Sequence, residues 1–445
     1  MIRFTRIVLC LLLGGVALVA QQTVSPEIVR ERTEREWRVK AEKMRQHLQP
    51  LMRKHGVDLL AIMSRENNPD AALELFGGHG VTGWYGHRNI YLFYDPGDGR
   101  SLEITVIGTH LSGHLRQFYD TIASYGEEGL KPHLQKYVQA RDPKRIAINQ
   151  SRTISMFDGL TAELKAYLVD AVGEPYASRL TSSEPLLVEY ASVHIPEEHT
   201  IAREASLATF DILQAAMSGE IITPGRTRLM DVQYWITAEW KRRGFEFNFP
   251  ASLDIQRWKP ETGEVVTLDD AEDPVVERGD VLHVDFGIRL AGIVTDQQKM
   301  AYVLKPGETR APAGLDKAFA DSRRAAEIVI ETLRPGRPGV EMKDEAEARA
   351  QAEGIDLLAY SHVQGYWVHD AGVWTVFDWP ERYGAHPRTK LLGGEWVSLE
   401  FATTTAVPEW GGAKVRMLRE EDLVVRENGR VEYLSGPQRD LWVIR

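Results

Sequence analysis

The stretch SHVQGYWVHDAGV, residues 361–373, carries two histidines seven positions apart, His362 and His369. Four acids also lie in or beside short apolar segments typical of β-strands: Asp285, Asp296, Glu400 and Glu420. No fold needs four acids pointing inward for stability, because burying unpaired carboxylates is costly. Four carboxylates and one imidazole are the ligands that a pair of hard divalent cations requires. If these side chains converge, they converge on metal.

The two aspartates lie eleven residues apart, on segments that predict neighbouring strands. Residues 275–304 are predicted to form two strands joined by a turn at Ala291 and Gly292. Facing acids on neighbouring strands would normally repel each other. The residues alone leave open a second interpretation, in which Asp285 caps a turn and Asp296 is exposed.

Composition bounds the class of protein. A chain of 445 residues predicts more than one domain, most simply two. With 43% hydrophobic and 26% charged residues the chain is typical of globular proteins. The net charge of −11 argues against nucleic acid or an anionic membrane surface as a partner.

The N-terminus has the pattern of an export signal, predicted over residues 1–20. Arg3 and Arg6 precede an apolar stretch, 7–20, which is short for a membrane span. We expect a periplasmic or secreted protein with no stable span after cleavage, although an uncleaved anchor stays open. The single cysteine, Cys10, lies in this segment, so the mature protein would have neither disulfides nor cysteine catalysis.

The rest of the chain divides near residue 195. Strands alternating with helices predict an α/β domain over 25–190, and a second domain is predicted over 195–445. Helical periodicity is found at 25–56, 157–172, 196–221, 227–243, 313–333 and 339–353. Strands are predicted at 57–64, 89–95, 102–108 and 145–151.

Several common catalytic motifs are absent from the sequence. It has no HExxH, no GxSxG and no phosphate-binding P-loop motif. The segment GGHGVTG, residues 77–83, contains a formal GxGxxG but neither follows a predicted strand nor opens a helix. We interpret it as a loop.

Residues 361–373 resemble the active-site stretch of Xaa-Pro aminopeptidases and prolidases. These enzymes belong to the pita-bread family, which also contains creatinase and methionine aminopeptidase. Further similar segments follow in the family's order: PEEHTIAREA (196–205), VDFG with IVTD, GEWVSLE (394–400) and EEDLVVRENG (420–429). The resemblance implies an α/β N-terminal creatinase-like domain and an α+β pita-bread C-terminal catalytic domain.

The resemblance also implies roles for the five ligands. Asp285 would bind one metal ion, Asp296 and Glu420 would bridge two, and His362 and Glu400 would bind the other. The ions would be Mn²⁺, with Co, Zn or Fe as alternatives. A hydroxide bridging them would be the nucleophile.

Two residues receive catalytic roles by the same resemblance. Glu400 would act as general base, and His369 would donate a hydrogen bond to the substrate carbonyl oxygen. The alternative for His369 is a structural histidine bonded to Asp370. Two glutamates compete for the role of last ligand. The number of residues that separate it from Asn428 favours Glu420, whereas the pattern Arg419-x-Glu421 favours Glu421.

The sequence also departs from the family. Leu358 stands four residues before His362, where these peptidases usually carry a histidine, and residues 245–282 contain no histidine. Asp254 or Arg257 could occupy the space of that missing histidine. The insert 377–391 is expected to contribute to a substrate-pocket wall.

Together these observations predict an exported, dinuclear metal-dependent aminopeptidase that cleaves short peptides before proline. The resemblance further suggests a homodimer. Two alternatives stay open: a creatinase-like or other C–N amidohydrolase, and a non-catalytic pita-bread binding protein.

Overall fold

The computed structural model describes residues 24–445, apart from residues 66, 67, 69, 78–86 and 110–112. The predicted export signal and most of the predicted loop 77–83 therefore lie outside the described residues. Within them, no helix combines the length and the apolar character needed to cross a membrane.

The N-terminal region is built on a six-stranded mixed sheet with the strand order β4-β3-β2-β1-β5-β6. Its strands are β1 (Leu59–Arg65), β2 (Arg88–Tyr94), β3 (Glu103–Gly108), β4 (Thr121–Ser124), β5 (Ile146–Ile148) and β6 (Leu180–Ser182). Its helices are α1 (Pro26–Lys43), α2 (Gln49–Lys54), α3 (Leu130–Arg141), α4 (Ala162–Val172) and α5 (Glu184–Ser192). From β4 onward strands and α-helices alternate, as predicted, whereas β1 to β4 follow one another with only loops and short 3₁₀ turns between the described strands.

The central strand β1 is apolar on both faces because both faces are covered. Leu60 and Ile62 belong to the buried cluster that includes residues of α2, whereas Leu59, Ala61 and Met63 pack in a second cluster with residues of α3 and α4. Continuous apolar runs are typical of strands buried on both sides.

The first helix was predicted as one segment, 25–56, and is interrupted by a wider π-type turn at Met44–Leu48. Pro50 has no N–H to donate to the carbonyl four residues earlier, at Gln46, which disturbs the regular helical ladder there. Ser25 caps the N-terminus by accepting from the N–H of Ile28.

The C-terminal region pairs a ten-stranded sheet with helices. Its main strand order is β13-β15-β16-β12-β9-β7-β8, and β14, β17 and β18 pair with β15, β16 and β12. The strands are β7 (Ser252–Lys259), β8 (Glu264–Asp269), β9 (Val281–Phe286), β12 (Gln297–Val303), β13 (Asp356–Ala359), β14 (His362–Gln364), β15 (Trp396–Ala406), β16 (Lys414–Val425), β17 (Val431–Tyr433) and β18 (Trp442–Ile444). The helices are α6 (Pro196–Ala216), α7 (Leu229–Arg242), α8 (Ala313–Thr332), α9 (Gly339–Ala352) and α10 (Pro380–Tyr383).

Residues 275–304 form four strands rather than the two predicted, because a short hairpin, β10 (Arg289–Leu290) and β11 (Ile293–Val294), separates β9 from β12. The predicted turn at Ala291 and Gly292 is confirmed, and both residues have positive φ, 47° and 81°. At the base of the hairpin its two arms come so close that a Cβ on Gly287 would lie 1.8 Å from the carbonyl oxygen of Thr295. Only glycine permits that close approach.

The two regions share buried contacts. Lys43 of α1 donates to the Tyr366 hydroxyl at 2.7 Å, and that hydroxyl bonds Glu198 in the first turn of α6. All three side chains are buried. One apolar cluster also runs through both regions, with Ile62 from the first and Ile201 from the second.

Candidate metal centre

Strand register brings acids together on one face of the large sheet. Glu420 of β16 lies opposite Glu400 of β15 and Gln298 of β12. Gln298 in turn lies opposite Asp285 of β9. Side chains at directly opposed positions share a face of the sheet, so these three acids converge.

His362 and Asp296 complete the cluster. The Nε2 atom of His362 lies 3.7 Å from Asp296 Oδ2, 3.7 Å from Glu400 Oε2 and 3.5 Å from Glu420 Oε1. Asp285, Asp296 and Glu420 each offer an oxygen within 4.8 Å of the others. The structure therefore brings together all five residues predicted as ligands.

Several atoms of this cluster are buried without a partner. Among the residues that the structure describes, four of its atoms have no hydrogen-bond partner: Asp285 Oδ1, Asp296 Oδ1, His362 Nε2 and Glu420 Oε2. An unpaired buried polar atom costs roughly 1–3 kcal/mol, and more when it is charged. Oxygens with one imidazole nitrogen suit divalent cations, so the residues present fit such ions.

The pKa values of the acids show how poorly they tolerate one another without a cation. Burial, and then the charge of Glu420, raises the pKa of Asp285 to about 7. Burial raises the pKa of Glu420 to about 7. Burial and the neighbouring carboxylates hold the pKa values of Asp296 and Glu400 well above the usual range. Bound cations would favour the ionised forms.

His362 is held in the form that a metal ion requires. Its Nδ1 lies 3.1 Å from the carbonyl oxygen of Val363 and donates to it, which leaves the lone pair of Nε2 facing the acids. Burial lowers the pKa of His362 to about 4, so the ring is neutral near pH 7.

Of the two competing glutamates, only Glu420 points into the cluster. Its neighbour Glu421 lies on the opposite face, where its oxygens accept from Lys299 at 2.7 Å and from Arg419 at 3.0 Å. The backbone N–H of Gln438 also donates to Glu421, at 2.9 Å. The pattern Arg419-x-Glu421 thus belongs to an ion-pair network.

His369 lies beside the cluster and is exposed to solvent. Its ring centroid is 4.4 Å from that of His362, and Trp374 flanks it at 5.4 Å. The carboxylate of Asp370 instead accepts from the backbone N–H groups of Tyr366 and Ala371. The contact with Asp370 that the alternative interpretation of His369 required is not among these bonds.

A cavity of about 400 Å³ opens beside the cluster, with His362, His369 and Glu400 in its wall. The rest of its lining is mainly apolar and aromatic: Leu358, Trp374, Val376, Phe377, Trp379 and Tyr383. The insert 377–391 thus contributes to the pocket wall, as predicted. Leu358 is 39% exposed and faces this space.

Sequence reasoning missed His283 and Gln298. His283 follows directly after the histidine-free stretch 245–282 and lies on β9, buried between Asp254 and Gln298. Burial lowers the pKa of His283, but the hydrogen bond to Asp254, the charges of Asp254 and Asp285 and the bond to Gln298 together outweigh that effect and raise the pKa overall. A lone histidine within an apolar strand gave no signal before the register was known.

The sequence offered Arg257 as one residue that could occupy the space of the missing histidine. Its side chain pairs with Asp280 at 2.8 Å and donates to the carbonyl oxygen of Val275. Asp422 is a further residue that the sequence did not indicate. It accepts from the backbone N–H of Asp296 at 3.1 Å and from the amide of Gln364, and so supports the cluster from behind.

Residues 200–427, slightly more than half of the chain, match the model of metallopeptidase family M24. The chain belongs to that family. Membership of family M24 identifies it as a metal-dependent peptidase, and the clustered acids and His362 could hold a metal ion.

Solved structures with the same fold include three peptidases. X-Pro aminopeptidase from Thermotoga maritima matches with TM-score 0.64 and 19% identity, over 88% of this chain and 99% of that one. Xaa-Pro dipeptidase from Bacillus anthracis matches with TM-score 0.60 and 17% identity, over 91% and 99%. Prolidase from Pyrococcus furiosus matches with TM-score 0.54 and 15% identity, over 89% and 99%.

At these identities the three structures establish the fold alone. The predicted combination of an α/β N-terminal domain with a pita-bread C-terminal domain is confirmed. A comparison with curated protein sequences gave no match.

Proposed function

We propose that this M24 enzyme is a dinuclear metal-dependent aminopeptidase that hydrolyses the N-terminal peptide bond before proline. The observation that carries the proposal is the convergence of Asp285, Asp296, His362, Glu400 and Glu420, with four of their atoms buried and unpaired. Structural purposes do not account for such an arrangement, because it raises the free energy of the folded protein.

The donors form overlapping groups, which suits two neighbouring ions. Asp285, Asp296 and Glu420 form one group, His362, Glu400 and Glu420 a second, and Asp296, His362 and His369 a third. Two divalent cations would supply Lewis acidity and lower the pKa of a water molecule toward neutrality. We propose Mn²⁺ as the resident metal, with Co²⁺, Zn²⁺ and Fe²⁺ also suited to these donors.

Glu400 and His369 are the residues of this chain that would act on the substrate. One oxygen of Glu400 lies 3.7 Å from His362 Nε2, and its carboxylate lines the cavity, where it can take a proton from the attacking water. His369 is exposed in the same cavity wall and can donate a hydrogen bond to the carbonyl oxygen as negative charge develops there.

The lining of the cavity suits a substrate with an apolar residue after the scissile bond. Its aromatic side chains, among them Trp374 and Tyr383, offer flat faces against which a proline ring can pack. Leu358 adds apolar surface but cannot donate or accept a hydrogen bond. We therefore expect proline to be bound by packing more than by polar contacts.

The decisive experiment uses purified protein loaded with Mn²⁺ or Co²⁺ and tripeptides that differ only at the second residue, such as Ala-Pro-Ala and Ala-Ala-Ala. We expect release of the first amino acid from the proline peptide and about two metal ions per chain by elemental analysis. No cleavage of Xaa-Pro peptides by the metal-loaded protein would refute the proposal.

Leu358 and the histidine-free stretch 245–282 favour one alternative, hydrolysis of another C–N bond. Dipeptides and small guanidino or amidino acids should therefore accompany the tripeptides. Activity on the guanidino or amidino acids, without activity on the peptides, would select this alternative. Protein that binds no metal and cleaves nothing would select the binding-protein interpretation.

Export and dimerisation are further proposals. The basic and apolar composition of residues 1–20 supports export through a cleaved signal. N-terminal sequencing of protein recovered outside the cytoplasm would test the cleavage. Light scattering of the purified protein would test the homodimer.

A further inference from the structure

A series of three side-chain hydrogen bonds connects Glu400 to Asp254 through Gln298 and His283. The Gln298 amide nitrogen donates to Glu400 Oε1 at 2.6 Å. The Gln298 amide oxygen lies 3.0 Å from His283 Nε2, and His283 Nδ1 lies 2.7 Å from Asp254 Oδ2. The two middle side chains are buried, with 4% of Gln298 and 6% of His283 exposed.

The direction of each bond follows from the groups at the two ends. An ionised Glu400 accepts only, so Gln298 must present its NH₂ group to it and its carbonyl oxygen to His283. That oxygen accepts only, so His283 donates from Nε2. Asp254 likewise accepts only, so His283 also donates from Nδ1. With both carboxylates ionised, as bound cations would favour for Glu400, this arrangement satisfies all four groups and places a proton on each nitrogen of His283.

This arrangement separates the two oxygens of Glu400. Oε1 is held by Gln298, whereas Oε2 lies 3.7 Å from His362 Nε2 and faces the other ligands. The backbone of Glu400 is also fixed, because its N–H and carbonyl both bond the hydroxyl of Ser361 at 3.0 Å. Rotation of the carboxylate would break the bond to Gln298.

The sheet does not need these side chains for its own pairing. Backbone ladders already join β7 to β9 and β9 to β12, over residues that include Asp254, His283 and Gln298. An apolar residue at each position would avoid the cost of burying polar groups. The chain ends at the carboxylate of Glu400, and Gln298 also contributes a side-chain hydrogen bond to Glu420.

We propose that Asp254, His283 and Gln298 form a positioning chain that holds the Glu400 carboxylate with one oxygen turned toward the metal ligands. The inference rests on the proposed function for its kinetic consequences, but not for its effect on metal binding. Gln298 acts directly on Glu400, and His283 and Asp254 act through Gln298. None of the three is assigned contact with the substrate.

The test compares Gln298→Met, His283→Leu and their double variant with Gln256→Met. Gln256 is a matched control because it is buried on strand β7, next to β9, and within the described residues its side chain bonds backbone atoms of Arg416 alone, at 2.8 Å. Two measurements are made on each protein: kcat and KM for an Xaa-Pro tripeptide, and the Kd for Co²⁺ from its visible absorption in metal-free protein.

We expect Gln298→Met to lower kcat by about 10- to 100-fold with little change in KM, and to weaken Co²⁺ binding on a similar scale. His283→Leu should have a smaller effect of the same kind. The double variant should match Gln298→Met alone, because His283 acts through Gln298. His283→Gln, which keeps a donor near the Nε2 position, should recover part of the loss. Gln256→Met should leave kcat and the Co²⁺ spectrum unchanged.

Two results would overturn the inference. One is a Gln298→Met protein with unaltered kcat and Co²⁺ binding. The other is a double variant whose loss is the product of the two single losses, since that shows independent roles. If Gln298→Met does not fold, equal activity of His283→Gln and His283→Leu overturns it instead. Wild-type protein that cleaves no peptide refutes the proposed function, while the Co²⁺ titration still decides the positioning role.

Discussion

The two faces of strand β16 carry adjacent glutamates with opposite surroundings. Glu420 and Glu421 are each 1% exposed. Glu421 has both oxygens bonded, to Lys299 on one side and to Arg419 and Gln438 on the other. Glu420 faces three other acids and a neutral imidazole, and its Oε2 has no partner in the described part of the chain.

The difference separates acids that stabilise the fold from acids that cost it stability. A buried carboxylate with two cationic neighbours completes a network, and its removal leaves buried positive charge behind. A buried carboxylate among other carboxylates stabilises nothing until a cation arrives. The exposed fraction of a carboxylate does not tell these two kinds of acid apart, but the hydrogen-bond partners of its oxygens do.

The largest expected effect concerns catalysis at the unpaired face. Glu400→Gln should lower kcat by about 10²- to 10⁴-fold, because the amide cannot take a proton from the attacking water. Peptidase assays with matched metal loading would measure this loss. Glu381→Gln, at an exposed position on α10, serves as control and should retain full activity. An active Glu400→Gln enzyme would contradict the assignment of the general base.

The paired face should respond in stability instead. Glu421→Ala should destabilise the protein by about 3–5 kcal/mol, since Lys299 and Arg419 would stay buried without their partner. Glu420→Gln should stabilise the metal-free protein, because it removes one charge from the crowded acids. Urea unfolding in the presence of a chelator would measure both. Equal destabilisation by the two substitutions would remove the contrast between the faces.

The pocket beside the unpaired face offers a gain-of-function test. Leu358→His restores a hydrogen-bonding group in the wall that contains His369 and Glu400. We expect kcat/KM for Xaa-Pro tripeptides to rise by up to about tenfold, about 1.4 kcal/mol of transition-state stabilisation. Leu207→His, at a position 40% exposed on α6, is the matched control. A loss of activity would show that the apolar wall itself suits the substrate.

The stability of the protein should depend on pH, with a sign that changes when metal binds. The folded-state pKa values of Asp285 and Glu420, about 7, exceed the ordinary values of 3.8 and 4.5, so the metal-free folded protein binds more protons than the unfolded chain between those limits. Its stability should therefore rise as pH falls from 8 to 5. With metal bound, protons compete with the cations, and stability should fall over the same range.

Thermal unfolding with chelator and with Mn²⁺ would measure these two slopes. The variant Asp285→Asn provides the control, because its metal-free form lacks one of the titrating acids and should show a shallower slope. Slopes of the same sign with and without metal would contradict the proposed origin of the pH dependence.

Sequence patterns predicted the elements well where the signal was periodic or ordered. The helices at 196–221 and 313–333 followed from apolar spacing, and both are found as α6 and α8. The order of Asp285, Asp296, His362, Glu400 and Glu420 carried the family resemblance. These signals are local, or depend only on the order of short motifs along the chain.

What the sequence could not supply depends on contacts between distant segments. The close approach of Gly287 to Thr295 lies where the short hairpin of β10 and β11 leaves β9 and β12, so four strands stand where two were predicted. The role of His283 follows from its register with Asp254 and Met300, which no spacing along the chain reveals. The choice between Glu420 and Glu421 needed the side of the strand that each faces.

The buried ammonium of Lys43 has a consequence for how the molecule can be divided. Lys43 belongs to the first helix, yet its partners Tyr366 and Glu198 lie in the catalytic half, with Tyr366 only three residues before His369. Although burial raises it, the charge of Lys43 helps to hold the pKa of Glu198 at about 2. A catalytic half expressed alone would lack the counter-ion of Glu198, whose partner Tyr366 lies three residues before His369. The two regions should therefore melt as one cooperative unit, with a single calorimetric transition.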